Sequence, residues 1–256
     1  MLRLFFYKIF YFLEQNNIDN KNTTSLNKAI SQTGYCSRRE ADAIVEKGWV
    51  TINDVQAKSG NRVTPTDIIK IKGEVLAQKK EKPIFIAFNK PLGIECTTNA
   101  KVKENIVDYL KFKERIFPIG RLDKNSEGLI FLTNNGDIVN EILRSRNNHE
   151  KEYIVKVNKT VTGKFIRDMS NGVLVLNTIT KKCKVTKISN DTFNIILTQG
   201  LNRQIRRMCK HFGYKVVSLK RIRIMNVNLG SLPLGKWRNL TNTEWEVLKA
   251  SLVQIE

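Results

Sequence analysis

Apolar positions along the first eighty residues come in short, helix-like and strand-like groups. Leu26 to Gln32 reads as a short helix that stops near Gly34. Ser37-Arg38-Arg39-Glu40 has the form of a capping box, and Ala41, Ile44 and Val45 then follow at i, i+3, i+4, giving one apolar face. Gly48 is placed to end that helix in the left-handed position. Trp49 to Ile52 and Ile68 to Lys72 read as strands, with a turn at Asn53-Asp54. The stretch from 25 to 72 is therefore expected to be a small module of two helices and a hairpin. Residues 73–83 (GEVLAQKKEKP) read as a charged linker ending in Pro.

From residue 84 to 256 the pattern is that of a larger domain. Strands are predicted at Ile84 to Phe88, Ile116 to Ile119, Leu129 to Thr133, Glu152 to Val157, Cys183 to Ile188, Thr192 to Thr198 and Val216 to Val227. Helices are predicted at Asn105 to Leu110, Asp137 to Leu143, Thr162 to Met169 and Asn202 to Phe212, with a last one opened by the capping box Thr241-x-x-Glu244. Strands outnumber helices and cluster, which predicts an α+β fold with a mainly antiparallel sheet.

Within Asn202 to Phe212 two stripes separate. Arg203, Arg206, Arg207 and Lys210 lie at i, i+3, i+4, i+7, and Ile205, Met208, Cys209 and Phe212 repeat that spacing two residues on. Two residues are about 200° of rotation, so one face packs and the other presents cations. That face holds no acid at the (i, i+4) spacing, and arginine suits phosphate and carboxylate partners. The run Lys220-Arg221-Ile222-Arg223 alternates on a strand and is expected to extend the basic face.

Composition sharpens this reading. Lys plus Arg number 44 against 24 Asp plus Glu, a formal charge of +20, while 41% of residues are hydrophobic. The apolar fraction excludes a disordered polycation, and the charge makes a polyanion the expected partner. Cys36, Cys96, Cys183 and Cys209 are scattered, and His149 and His211 complete no zinc-ligand spacing. No metal, no disulfide framework and a reducing cytoplasm are expected. The segment MLRLFFYKIFYFL at 1–13 is interrupted by Lys8 and falls short of the ~20 apolar residues a bilayer span needs, so residues 1–24 are read as an extension without membrane attachment.

Alone, Asp123 in the polar loop GRLDKNSEG is an ordinary turn former, and Tyr153 on a strand is an ordinary core residue. Their company is more specific. Gly-Arg-Leu-Asp at 120–123, Lys-Glu-Tyr at 151–153 and Asn-Arg-Gln-Ile-Arg-Arg-Met at 202–208 occur in that order. With them the chain resembles the family of ribosomal RNA pseudouridine synthases whose members are type A for the small ribosomal subunit and types B, E and F for the large one. The stretch SLNKAISQTGYCSRREADAIVEKGWVTINDVQAK resembles the S4 RNA-binding domain, with Ser25 where an Arg is common and Asp54 in place of the turn Gly.

The resemblance implies conversion of uridine to pseudouridine, with large-subunit (23S) RNA the expected substrate and small-subunit RNA or a transfer RNA anticodon loop the alternatives. It implies no cofactor, a monomeric enzyme and structured RNA as the partner. Asp123 becomes the catalytic carboxylate, Arg206 its partner and Tyr153 the residue stacked on the uracil. Arg121, Asn202, Arg203, Gln204, Arg207 and Lys210 are expected to contact RNA, and Lys28, Arg38 and Arg39 to do so from the small module. A non-catalytic RNA-binding assembly factor is the competing reading. A glycosidase is a third, weakened because no second well-placed acid accompanies Asp123.

Overall fold

The computed structural model describes residues 23–77, 83–143 and 148–253. The apolar segment 1–13 and positions 78–82 of the linker lie outside the described residues. The chain separates into two compact units, Met1–Lys82 and Pro83–Glu256.

In the first unit β1 (Thr24–Ser25), α1 (Leu26–Gln32) and α2 (Arg38–Glu46) precede β2 (Val50–Ile52), β3 (Val55–Gln56), β4 (Arg62–Val63), β5 (Ile69–Ile71) and β6 (Glu74–Val75). The capping box forms as the sequence implies. Ser37 Oγ accepts the Glu40 N–H at 3.2 Å, and Glu40 Oε2 accepts the Ser37 N–H at 2.7 Å. Leu26, Ile30, Ala41 and Val45 from the helices pack on Val50 and Ile71. The β2–β3 turn places Asn53 (φ 50°) and Asp54 (φ 66°) in the left-handed region. Asn and Asp tolerate that region better than other non-glycine residues, so the missing turn Gly is accommodated. β6 pairs with β5 through Lys70↔Val75 and Ile71↔Glu74. The segment read as a linker from 73 thus begins inside this unit.

The second unit runs β7 (Phe85–Lys90), α3 (Ile106–Leu110), β8 (Phe117–Ile119), β9 (Glu127–Thr133), α4 (Gly136–Leu143), β10 (Lys151–Val157) and α5 (Gly163–Ser170). It continues β11 (Leu174–Val175), β12 (Thr178–Ile179), β13 (Lys184–Lys187), β14 (Thr192–Leu197), α6 (Gln204–His211), β15 (Val216–Ile224), β16 (Val227–Asn228), β17 (Trp237–Asn239) and α7 (Asn242–Val253). Among the described residues one sheet has nine strands, ordered β13-β14-β10-β15-β9-β7-β17, with β16 on β15 and β8 on β9. β15 and β9 pair in parallel, and the other pairings are antiparallel, in agreement with the expected α+β class.

Side chains alternate across the sheet, so each strand feeds two cores. Ile86, Phe88, Ile130 and Leu132 join Phe165, Ile205 and Met208 on one face. Ala87, Leu129 and Phe131 join Ile138, Ile142 and Leu248 on the other. Burial on both faces is why β7 and β9 read as continuous apolar runs.

Gly128 makes the parallel β9–β15 junction possible. Its φ is +106°, and a Cβ there would lie 2.2 Å from the Arg221 carbonyl oxygen. Gly128→Ala is expected to destabilise this unit by about 3 kcal/mol or more, since both strain and backbone overlap must be relieved. Chemical denaturation of the two proteins measures it, and an unchanged midpoint would contradict the close approach.

Candidate active site

The loop between β8 and β9 is held rigidly from several sides. Leu122 is buried and its N–H faces Cys96 Sγ at 3.4 Å. The Lys124 carbonyl accepts the Gly93 N–H at 2.9 Å, and the Ser126 N–H returns to the Asp123 carbonyl at 3.0 Å. Ser126 is fully buried. With its neighbours fixed in this way, the Asp123 side chain stands partly exposed at the top of the loop.

Arg206 reaches this loop from α6. Its Nε lies 3.5 Å from Asp123 Oδ2, an ion-pair distance that is too long and too poorly aligned for a hydrogen bond, and Nε has no hydrogen-bond partner. The hydrogen bonds go elsewhere: Nη2 donates to the Asn125 carbonyl at 2.5 Å and Ser126 Oγ at 3.1 Å, and Nη1 to the Val216 carbonyl at 3.4 Å. Arg206 therefore clamps the loop backbone and presents its charge to Asp123. Burial lowers its pKa from the ordinary value and the Asp123 charge opposes that shift, so the guanidinium stays charged.

The other predicted residues on α6 divide. Ile205, Met208 and Cys209 are buried, as the apolar stripe requires. Asn202, Arg203, Arg207 and Lys210 lie toward solvent, and Arg207 is tied back to the Asn202 carbonyl at 3.0 Å and to Asn202 Oδ1 at 3.2 Å. Arg203 occupies the N-cap with φ 51°, a left-handed conformation that turns the chain into the helix. Gln204 is a correction: it is 5% exposed, and its side chain accepts the Leu201 N–H and donates toward Met208 Sδ. It shapes the helix start and does not lie on the solvent-facing stripe with Arg203 and Arg207. Arg121 is exposed beside Asp123.

Tyr153 lies in β10 and is 9% exposed, opposite Arg221 of β15. A register shift separates Glu152, opposite Arg223, from Tyr153, opposite Arg221, so Ile222 is an extra residue on β15. Neighbouring residues of β10 face opposite sides, and the bulge sends the two arginines apart with them. Arg223 pairs with Glu152 at 2.7 Å and Glu150 at 2.9 Å. Arg221 is 3% exposed. Neither residue extends the basic face, contrary to the alternation in the sequence.

The bulge and the β7 end bring in two lysines to which the sequence assigned no role. Lys90 is fully buried and donates from Nζ to the Pro91 and Ile94 carbonyls, both at 2.8 Å. Burial lowers its pKa, partly opposed by the Asp123 and Glu127 carboxylates. Lys151 is pushed down to about 8 by burial and by the Arg221 charge. The thiols are the reverse case: burial raises Cys183 to about 11 and Cys209 to about 12, which makes them poor nucleophiles, and all four cysteines are free.

In the small unit Arg38 and Arg39 lie on the first turn of α2, toward solvent, and Lys28 is half-buried on α1. Among the described residues no group of His, Cys, Asp and Glu is arranged to hold a metal ion, and no helix is long and apolar enough to cross a membrane.

Comparison with known proteins bears directly on this arrangement. The family model described as RNA pseudouridylate synthase matches residues 84–211, the span that contains Asp123, Tyr153 and Arg206. The dual-specificity RNA pseudouridine synthase RluF of Escherichia coli (strain K12) is 55% identical over 224 residues, covering 87% of this chain and 77% of the relative. Ribosomal large subunit pseudouridine synthase B of Bacillus subtilis (strain 168) is 32% identical over 234 residues, covering 88% and 95%. A crystal structure of a pseudouridylate synthase superposes with a TM-score of 0.65 at 28% identity, covering 88% of this chain and 99% of that one.

Proposed function

The chain belongs to the RNA pseudouridylate synthase family, and on that premise we propose that it isomerises a uridine of large-subunit ribosomal RNA, using Asp123 as the reacting carboxylate. The observation that carries the reading is the convergence of Asp123 and Arg206, far apart in sequence, at one partly exposed point of a rigid loop.

In the reaction the N1–C1′ bond of the uridine breaks, the uracil turns, C5 bonds to C1′, the C5 proton leaves and N1 gains one. A carboxylate beside C1′ serves as nucleophile or supports positive charge on the sugar. Arg206 fixes the loop that aims Asp123 and keeps a positive charge beside it. The uracil stacks on Tyr153. Arg121 fills the space the extruded base leaves, and extrusion costs a few kcal/mol. Arg203, Arg207 and Lys210, with Asn202, supply contacts to the RNA that offset this cost.

For the first unit we propose an S4-type RNA-docking role. Arg38 and Arg39 stand at a solvent-facing helix start, where an anion is favoured. Both core clusters of the second unit are built from residue 86 onward, so residues 83–256 are expected to fold without the first unit. Such a truncation should bind RNA more weakly and with a salt slope shallower by about two, for roughly 0.7–0.9 per lost phosphate contact at Lys28, Arg38 and Arg39. It should retain turnover at high RNA concentration. Binding curves at several salt concentrations decide the matter, and an equal slope with and without the unit would mean that it does not touch RNA backbone.

We place the enzyme in the cytoplasm as a monomer. The dual specificity in the name of the 55%-identical relative favours a second RNA substrate for this chain, for which a transfer RNA anticodon loop is our choice. Pseudouridines mapped in ribosomal and transfer RNA, with the gene present and deleted, test both. Loss of a large-subunit site is expected, and an unchanged large-subunit RNA would sink the assignment.

A further inference from the structure

Arg221 is buried beside Tyr153 with part of its guanidinium unpaired. It is 3% exposed, yet it makes no ion pair among the described residues. Its Nε donates to the Leu129 carbonyl at 2.6 Å, which fixes the plane of the guanidinium. Its Cζ lies 5.9 Å from the centre of the Tyr153 ring, within cation–π range. Its Nη2 is buried without any hydrogen-bond partner.

A buried, charged donor with nothing to donate to is unusual, because leaving such a group unsatisfied forfeits its hydration without replacement. The surroundings worsen the case. Lys90 and Lys151 both sense the Arg221 charge as repulsive. The parallel β9–β15 pairing, the glycine at 128 and the bulge at Ile222 together hold Arg221 in this position. The cluster has a surplus of positive charge and lies close enough to Asp123 for its charge to act on Lys90.

The chemistry proposed for the site supplies the missing partner. When the N1–C1′ bond breaks, its electron pair leaves with the uracil and is spread over N1 and the two carbonyl oxygens. The negative charge exists only while the base is detached, and a fixed donor that meets it then stabilises the step.

We propose that Arg221 is the docking residue for the detached uracil: it supports the Tyr153 ring from the adjacent strand and gives its free Nη2 hydrogens to a uracil carbonyl oxygen. This rests on the pseudouridine synthase reading with Tyr153 under the uracil. Arg221 thereby holds the turning base beside C1′ until C5 attacks, and it takes no proton and forms no bond.

The test uses the full chain, Arg221→Gln and Arg221→Lys, on an RNA in which the wild type forms pseudouridine and on the same RNA with an abasic ribose at that position. For Arg221→Gln we expect a single-turnover rate lowered about 100-fold, with affinity for the abasic RNA within about twofold of wild type. The preference for uridine over abasic RNA in binding should stay within about twofold of wild type, because the bond forms only to the detached base. Arg221→Lys keeps the charge but not the planar fork or the Nε donor to the Leu129 carbonyl, so it should fold, melt somewhat below wild type and turn over about 10-fold more slowly. If Arg221→Gln does not fold, Arg221→Lys decides the question alone. Folded variants with the wild-type rate, or a variant slowed only in proportion to its lost affinity for the RNA, overturn the proposal. A wild-type chain that forms no pseudouridine in any RNA overturns the enzyme reading and this role with it.

Discussion

Asp123→Asn is expected to lower single-turnover pseudouridine formation by roughly 10⁴-fold, the scale seen when the central member of a catalytic group is removed, while RNA affinity stays within a few-fold of wild type. The substitution removes the charge and the nucleophilic oxygen but keeps the volume. The loop around it does not depend on the carboxylate: the Asp123 backbone carbonyl accepts from Ser126, Leu122 is anchored by packing, and Lys124 is anchored through its carbonyl. Melting should therefore be nearly unchanged. A rate close to wild type would remove Asp123 from the mechanism. Loss of RNA binding in parallel with rate would make it a binding residue instead.

Arg206→Ala should damage both rate and stability. It deletes the donor to the Asn125 carbonyl, Ser126 Oγ and the Val216 carbonyl, and leaves Asp123 without its adjacent cation. Ser126 is fully buried, so the bond to its hydroxyl is not replaced by bulk water. The expected cost is about 2–4 kcal/mol of stability, with turnover lowered roughly 10²–10³-fold. Arg206→Lys separates the two roles. A lysine restores a charge but cannot reach three acceptors with one ammonium, so melting should recover further than rate. Full recovery of rate in Arg206→Lys would show that charge alone matters and that the clamp on residues 125 and 126 does not.

The parts of this architecture governed by local rules were legible in the sequence. Both capping boxes form, at Ser37–Glu40 and at Thr241–Glu244, because each needs only four residues. The apolar stripe of α6 packs as its period requires. What escaped depended on register between distant strands. Arg221 and Arg223 alternate in the sequence and should share a face, but one extra residue at Ile222 parts them, and nothing local signals that bulge. Lys90 follows an apolar run with no local sign of burial, whereas the carbonyls of Pro91 and Ile94 accept from its ammonium inside the fold. Gln204 sat within a motif of RNA-facing residues, yet it stands four residues before Met208 and so falls on the buried stripe of the helix. The β11–β12 hairpin was missed for a related reason: its turn uses Leu176 (φ 50°) and Asn177 (φ 59°), where a glycine would have marked it.

Single-turnover reaction of the purified chain with large-subunit ribosomal RNA carrying 5-tritiated uridine tests whether Asp123 isomerises uridine. Tritium release should match pseudouridine recovered within the intact RNA strand, without free uracil, and should vanish in Asp123→Asn. Uracil set free with no pseudouridine formed would mean that the site only cuts the glycosidic bond. RNA bound tightly with no tritium released would mean that the chain is a binding protein and that Asp123 reacts with nothing.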